Sequence, residues 1–257
     1  MKNKDDILKI VRSTREISFP FWGNITSTTK ESNERNIVTE IDTKVEMFLQ
    51  ESFYEIDPNT SFVGEETGGD KTAGRFWLVD PIDGTQHYVR GLPFCTTMVS
   101  LIESGQVTFS AIYDFVNDVL YHAEIGNGAY ADEEKISVSN RSAAAAFICY
   151  ESNWNTGDSL EKHREVRKKI QTLQFSCSGY EHILVATGKI EGRVGYHPYA
   201  QDHDIAPGSL LIKEAGGIVT NIGSETFDYQ NTNYIATNKA VYDSLVYDTD
   251  AAFPIIR

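Results

Sequence analysis

The feature that most constrains the fold of this chain is the stretch Phe76–Phe94, FWLVDPIDGTQHYVRGLPF. Its apolar start has the length of a buried strand, which should end at Asp80 because Pro81 cannot donate to a sheet ladder. Asp83, followed by glycine and threonine, is typical of a helix start, where backbone N–H groups lack partners within the helix. We therefore expect two carboxylates and several free donors in one turn.

Such a turn suits a phosphate that is bound through a divalent metal. Carboxylates alone repel a phosphate, but Mg²⁺ ligated by oxygen reverses the local charge, and the helix N-terminus then meets the remaining anion oxygens. The alternative is an ordinary strand–turn–helix in which Asp83 only caps the helix. The turn by itself leaves both interpretations open.

Composition restricts the class of protein. The chain has 257 residues, of which 40% are hydrophobic, and it has no apolar run that could span a membrane. Its formal charge of −14 argues against a nucleic-acid polymer as partner, because phosphate backbones are bound by clustered Lys and Arg. The N-terminus has the spacing of an amphipathic helix rather than of a secretory signal, so we expect a cytoplasmic enzyme with reduced cysteines.

Three further acidic positions lie before this turn. Apolar residues recur at helical spacing up to Ile56, which predicts a helix with Asp42 in its first turn, where a carboxylate also favours the positive helix end. An extended run from Ser61 closes on Glu65 and Glu66. Successive strand residues face opposite sides, so at most one of these two glutamates points into a shared pocket.

The last acidic candidate, Asp204, begins a predicted helix with Pro207 in its first turn and paired glycines at its end. Its carboxylate can cap the helix, bind a metal, or do both. The neighbouring Asp202 is interpreted as a solvated acid.

The order of predicted elements favours two halves, about 1–140 and about 141–257, within a single domain over 1–257. The first half is α+β: a polar segment, 24–36, predicts a loop, and closely spaced turns after residue 94 predict an antiparallel meander. The second half is mixed α/β. Its strands are predicted near 146–150, 173–176, 190–196, 217–221 and 233–237, and its helices near 159–171, 179–188, 204–215 and 239–247.

Together these motifs resemble the inositol monophosphatase family, within the superfamily of Mg²⁺-dependent, lithium-sensitive phosphatases. The matching segments are Val38-Thr39-Glu40-Ile41-Asp42, Gly64-Glu65-Glu66, Asp80-Pro81-Ile82-Asp83-Gly84-Thr85, Gly126-x-Gly128-Ala129, Val185-Ala186-Thr187-Gly188, Asp204-x-Ala206-Pro207-Gly208 and Glu214-Ala215-Gly216-Gly217. Their order and spacing agree along nearly the whole chain. The resemblance implies a layered αβαβα fold of the inositol monophosphatase and fructose-1,6-bisphosphatase type, and a homodimer.

The resemblance also implies roles for individual residues. One Mg²⁺ would be held by Glu65, Asp80 and the backbone carbonyl of Ile82, and a second by Asp80, Asp83 and Asp204. A third, weaker ion is implied near Glu65, and Mn²⁺ could substitute. The implied catalytic residues are Glu65, Thr85, Asp42 and Glu66, with Thr85 hydrogen-bonded to Asp42. The implied substrate contacts are Asp83, Gly84, Thr85, Cys177, Ser178, His197 and Asp204.

Departures from the family pattern concern the substrate. His197 stands where members that hydrolyse inositol phosphates carry a Glu, and an imidazole cannot replace a carboxylate that accepts two hydroxyl hydrogens. It is either a substrate contact or a surface histidine. Ser176-Cys177-Ser178 lies where the family has a Gly-Ser/Thr-Ala segment, and His203 stands where it usually has Trp. His203 is interpreted as structural because the histidines lack metal-like spacing.

We therefore expect a Mg²⁺-dependent phosphomonoesterase that uses a metal-activated water on a small phosphorylated polyol, most simply inositol monophosphate or a related sugar phosphate. The alternative enzymes are a 3′(2′),5′-bisphosphate nucleotidase and a fructose-1,6-bisphosphatase. The alternative outside catalysis is a regulatory binding protein with a vestigial phosphatase site.

Overall fold

The computed structural model describes residues 3–26, 28–29 and 37–256, so most of the loop predicted over 24–36 lies outside the described residues. The helices are α1 (Lys4–Ser18), α2 (Glu40–Ile56), α3 (Thr85–Tyr88), α4 (Ser159–Arg167), α5 (Ser178–Ala186), α6 (Asp202–Glu214) and α7 (Lys239–Val246). The strands are β1 (Thr28–Thr29), β2 (Ile37–Val38), β3 (Ser61–Gly64), β4 (Arg75–Asp83), β5 (Thr96–Glu103), β6 (Gln106–Asp114), β7 (Val119–Glu124), β8 (Gly128–Ala131), β9 (Glu134–Lys135), β10 (Phe147–Glu151), β11 (Gln171–Leu173), β12 (Gly192–Gly195), β13 (Ile218–Asn221) and β14 (Tyr234–Thr237). Among the described ranges no helix is both long and apolar enough to cross a membrane.

Two large sheets form the frame of the molecule. Strands β3 to β9 make a seven-stranded sheet in sequence order, parallel between β3 and β4 and antiparallel elsewhere, which confirms the predicted meander. The second sheet has five strands in the order β11-β10-β12-β14-β13, with parallel pairs on both sides of β10 and antiparallel pairs on both sides of β14. This mixed sheet confirms the predicted alternation of strands and helices in the second half.

Successive side chains of a strand point to opposite faces of the sheet, so neighbouring strand residues pack against different layers of helices. On β5, Val99 packs with α1 and α2, whereas its neighbour Met98 packs with α5 and α6. The far side of α5 and α6 meets the five-stranded sheet through Tyr234, and the next residue of β14, Ile235, faces α4 and α7. The order of layers is αβαβα, as the sequence resemblance implied.

The turn around Pro81 differs from the prediction. Strand β4 continues through Pro81 to Asp83, so the prediction that it ends at Asp80 was wrong. The register with β5 shifts between Asp80 and Asp83, and a proline is tolerated in such a bulge because its missing N–H removes no regular ladder bond. Helix α3 begins at Thr85 rather than at Asp83, after Gly84 at a φ of 82°. Both aspartates are therefore strand residues.

Two helix boundaries in the second half were also predicted wrongly. Helix α6 begins at Asp202, so Pro207 lies inside the helix and not in its first turn, and the carbonyl of His203 loses its usual partner. Helix α4 ends at Arg167, because 171–173 pairs in parallel with β10 as a strand of its own. Long-range pairing thus overrides the helical spacing there.

Helix α6 is fixed at several points between the sheets. Gly208 lies against the ring of His182 on α5, and a Cβ at this position would collide with that ring. At the other end, the Glu214 carboxylate accepts hydrogen bonds of 2.9 and 2.8 Å from the backbone N–H groups of Gly126 and Gly128. These contacts tie α6 to the β7–β8 turn and so set its position against the seven-stranded sheet.

Candidate metal centre

Adjacent strand ends and the start of α6 bring the predicted metal ligands together. The Glu65 N–H donates to the Val79 carbonyl at 2.9 Å, which extends the parallel pairing beyond β3 and places Glu65 beside Asp80. Carboxylate oxygens of Asp80, Asp83 and Asp204 lie within 4.8 Å of one another. Ligand atoms of a second group, Glu65, Asp80 and His203, lie equally close together, so Asp80 belongs to both groups.

The donor set fits divalent cations. Asp80 is only 2% exposed, and its Oδ1 has no hydrogen-bond partner. A buried carboxylate oxygen without a partner costs free energy, which a bound cation would offset. Two ligands on opposite sides of a Mg²⁺ ion are about 4.2 Å apart. The ligand atoms of each group around Asp80 lie within 4.8 Å of one another, a separation compatible with an ion of this size.

Burial and mutual repulsion raise the pKa values of these acids. Burial, and after it Glu65, raises the pKa of Asp80 well above its usual value. Burial, and after it Asp204, raises the pKa of Asp83 to about 7, although the Cys177 thiol and the Gly179 N–H donate to its carboxylate at 3.0 and 2.6 Å. The pKa of Asp204 is also raised, by burial. Without a cation the cluster therefore resists full ionisation at neutral pH.

We expect Mg²⁺ to stabilise the protein more at about pH 8 than at about pH 5.5. The pKa of Asp83 rises on folding from 3.8 to about 7, so the folded metal-free state binds more protons than the unfolded state, and its stability falls as pH rises through this range. A cation that replaces the lost protons then has a larger effect. The measurement is the Tm difference with and without Mg²⁺ across pH. A difference that does not change with pH would contradict the assignment.

The side chains of Asp42 and Thr85 lie next to each other, close to the candidate metal ligands. Asp42 is fully buried at the start of α2, and its Oδ2 accepts hydrogen bonds from the Thr39 N–H and hydroxyl at 2.8 and 2.6 Å. The Thr85 hydroxyl lies 3.3 Å from Asp42 Oδ1 and 3.0 Å from the Ile82 carbonyl. Its single proton can serve only one of these acceptors at a time. The contact implied between Asp42 and Thr85 is present in the structure.

Sequence reasoning missed Glu46, which holds the loop of the paired glutamates. Its carboxylate accepts hydrogen bonds from the N–H groups of Glu66 and Thr67 at 2.9 and 2.8 Å. Glu46 is fully buried, and a Cβ at Gly64 would collide with its carboxylate. The available signal was its position one turn after Asp42, on the face of α2 that otherwise carries buried apolar residues.

A cavity of about 550 Å³ opens in front of the acids. All but one of the predicted substrate contacts line it, namely Asp83, Gly84, Thr85, Cys177, Ser178 and Asp204. The exception is His197, whose ring centroid lies 4.4 Å from that of Tyr196 and whose backbone N–H donates to Asn233 Oδ1 at 2.6 Å. The geometry gives no support to a substrate contact from His197. His203, interpreted as structural from sequence, lines the cavity beside the metal ligands.

Sequence reasoning also missed an arginine beneath the cavity. Arg193 is 1% exposed, and its guanidinium donates to Glu181 at 2.8 Å, to Glu151 at 2.6 Å and to Ser178 at 2.9 Å, as well as to the Tyr234 hydroxyl. The available sequence signal for this network was the charged residue Arg193 itself, within a strand that is otherwise apolar or small. Arg193 therefore carries a charge that two carboxylates already compensate.

The fold and the site together define a layered αβαβα protein in which acids of the seven-stranded sheet and of the start of α6 form a group that could hold a metal ion. The sequence profile of the inositol monophosphatase family matches residues 5–251. The chain belongs to this family, whose members are phosphomonoester hydrolases and generally depend on metal.

Similar proteins cover almost all of the chain. A fructose-1,6-bisphosphatase/inositol-1-monophosphatase of Thermotoga maritima is 27% identical over 249 residues, which cover 96% of this chain and 95% of that protein. The inositol-1-monophosphatase of Bacillus subtilis is 30% identical over 223 residues, 83% of each chain. Among solved structures, an IMPase of Thermotoga maritima has a TM-score of 0.85 at 26% identity and covers 95% of this chain and 94% of its own.

Proposed function

We propose that this protein is a Mg²⁺-dependent phosphatase that hydrolyses a monophosphate ester of a small polyol, an inositol monophosphate or a related sugar phosphate. The observation that carries the proposal is the pair of ligand groups that share Asp80 at the edge of a polar cavity. Among the similar solved structures is a staphylococcal IMPase-II described as inositol monophosphate bound, at 25% identity and a TM-score of 0.79 over 95% of this chain and 92% of that one.

The proposed metal ligands are those implied by the sequence. Glu65, Asp80 and the Ile82 carbonyl would hold one ion, Asp80, Asp83 and Asp204 a second, and Glu65 a third, weaker one. When bound, such cations lower the pKa of water and offset charge on the phosphoryl oxygens.

The proposed catalytic residues lie beside these ligands. Thr85 would orient the attacking water and pass its proton toward Asp42, whose pKa is raised by burial and which is thereby a stronger base than a solvated carboxylate. Glu65 would assist, with Glu66 in support. The N–H groups of Gly84 and Thr85 would bind phosphate oxygens, as at other positive helix ends.

The cavity lining favours a leaving group with hydroxyls over one with a second phosphate. Gln174, Ser176 and Gln201 offer neutral donors and acceptors, whereas both oxygens of the Glu151 carboxylate already accept hydrogen bonds within the protein. Among the described residues that line the cavity, Arg193 is the single Lys or Arg, and its N–H groups donate to protein acceptors. A second phosphate is normally recognised by charge-assisted bonds from Arg or Lys. Monophosphate esters of uncharged polyols therefore suit the cavity better than bisphosphates.

The test is a substrate panel with Mg²⁺ that contains inositol 1-phosphate, fructose 1,6-bisphosphate, adenosine 3′,5′-bisphosphate and an aryl phosphate. We expect kcat/KM for inositol 1-phosphate to exceed that for either bisphosphate by at least about tenfold, or ~1.4 kcal/mol. A preference for a bisphosphate would overturn the polyol assignment in favour of that alternative enzyme. Failure to hydrolyse any ester, the aryl phosphate included, would favour the regulatory binding protein.

Other properties implied by the sequence belong to this proposal. They are a homodimer, a cytoplasmic location, lithium sensitivity and the use of Mn²⁺ in place of Mg²⁺. A single phosphatase domain over 1–257 is supported by the apolar cluster in which Met98 of one sheet and Tyr234 of the other pack with α5 and α6.

A further inference from the structure

His203 brings a nitrogen donor into an otherwise oxygen-rich centre. Its side chain is 8% exposed on α6, and one of its ring nitrogens lies within 4.8 Å of carboxylate oxygens of both Glu65 and Asp80. The buried Asp80 Oδ1 without a hydrogen-bond partner is an independent sign that this group accommodates a cation.

The surroundings of the ring leave it available as a ligand. Nδ1 lies 3.7 Å from Asp202 Oδ1 and Nε2 lies 3.7 Å from Asp204 Oδ2, both beyond hydrogen-bond distance. Closer partners engage these carboxylates, because the Lys71 ammonium lies 2.6 Å from Asp202 and the Gln201 N–H donates to Asp204 at 2.6 Å. The ring therefore has no strong bond to break before it turns toward a cation.

The two ring nitrogens face different carboxylates. Nδ1 faces Asp202 and Nε2 faces Asp204, each across 3.7 Å, so an Nδ1–H bond to Asp202 formed on metal binding would give the carboxylate–histidine–metal order, in which the outer carboxylate fixes the ring and its tautomer. Asp202, interpreted from sequence as a solvated neighbour, would then orient the ligand. Its side chain is 11% exposed and is held by Lys71, so its position is defined.

We propose that His203 provides a nitrogen ligand to the cation held by Glu65 and Asp80. Carboxylate oxygens alone suit Mg²⁺, whereas an imidazole favours later first-row ions such as Co²⁺ and Zn²⁺. The ratio of the affinity for Co²⁺ or Zn²⁺ to the affinity for Mg²⁺ is consequently higher at this site than at a site with oxygen ligands only. The proposal rests on the metal centre of the proposed function and is independent of its substrate.

The test is electron spin-echo spectroscopy of the full-length protein loaded with Mn²⁺, which detects ¹⁴N nuclei bound to the ion. We expect imidazole couplings in the original protein and in His197→Asn, a control that removes a histidine outside the cavity lining. We expect these couplings to be lost in His203→Phe and in His203→Gln. The Gln variant keeps a polar side chain, so one variant remains informative if the other does not fold.

Titrations with single metals give the second readout. In the His203 variants, Kd for Co²⁺ and Zn²⁺ should rise about 10- to 100-fold, with a change in Kd for Mg²⁺ below about threefold. Mn²⁺ binding without ¹⁴N couplings, or couplings that survive in both variants, overturns the role of His203 and leaves the metal centre standing. Absence of any Mn²⁺ binding overturns the metal centre and this proposal together.

Discussion

Replacing Asp80 with Asn should lower kcat/KM by more than about 10³-fold, which corresponds to ~4 kcal/mol of transition-state stabilisation. Asp80 belongs to both ligand groups, so one neutral amide in its place should weaken the binding of a cation to either group. The same change should raise the Tm of the metal-free protein. Burial and the charges of Glu65, Asp83 and Asp204 all raise the pKa of Asp80, so its ionised form is unfavourable in the fold.

The measurements for Asp80→Asn are turnover of an aryl phosphate, a Mg²⁺ titration, and thermal unfolding with and without metal. Asp243→Asn is a matched control, because Asp243 is an acid outside both ligand groups and outside the cavity lining that pairs with Lys239. Its turnover with Mg²⁺ should change by less than about tenfold, or ~1.4 kcal/mol. Normal turnover by Asp80→Asn at saturating substrate and Mg²⁺ would refute a shared ligand.

Replacing Arg193 with Met should lower the free energy of unfolding by about 3–5 kcal/mol. The guanidinium lies between Glu181 and Glu151, and Glu181 is 2% exposed. Removing the cation leaves a carboxylate without its compensating charge in a buried position, where hydration cannot replace the lost bonds. Met is chosen because its flexible side chain fills much of the same volume.

Urea unfolding of Arg193→Met measures this loss through the midpoint and slope. Arg12→Met is the control, because the Arg12 side chain is 40% exposed and its ion pairs with Asp118 and Asp132 should contribute no more than about 1 kcal/mol. Adding Glu181→Gln to Arg193→Met should recover part of the loss, because it removes the uncompensated charge. Equal losses from both arginine variants would contradict the prediction.

Local sequence patterns were sufficient to predict the meander and the acidic positions, whereas the layered αβαβα fold and the ligand roles were implied by the family resemblance. The meander follows from turns at regular spacing, and the positions of Glu65 and Asp204 follow from a strand end and a helix start, whereas Asp80 lies inside β4. Local patterns gave wrong predictions where contacts with residues distant in sequence determine the secondary structure. Pro81 lies in a bulge that depends on pairing with β5, and residues 171–173 form a strand because β10 lies beside them.

Networks between distant residues were equally beyond local patterns. The sequence position of Glu46 does not show that its carboxylate binds the backbone after Gly64. Nor does the position of Arg193 show that its guanidinium contacts both Glu151 and Glu181. The histidines show the same limit, because His203 lies in the metal group whereas His197 lies outside the cavity lining. Distance along the chain carries no information on which imidazole approaches a cation.

The position of α6 also bears on how the chain matures during synthesis. Glu65, Asp80 and Asp83 leave the ribosome with the seven-stranded sheet, well before the helix that carries Asp204 and His203. A nascent chain that stops before Asp202 has the mutually repelling acids of the seven-stranded sheet without the side chains that α6 adds to them. We therefore expect the full set of cations to bind only after this helix has been translated, late in the maturation of the protein.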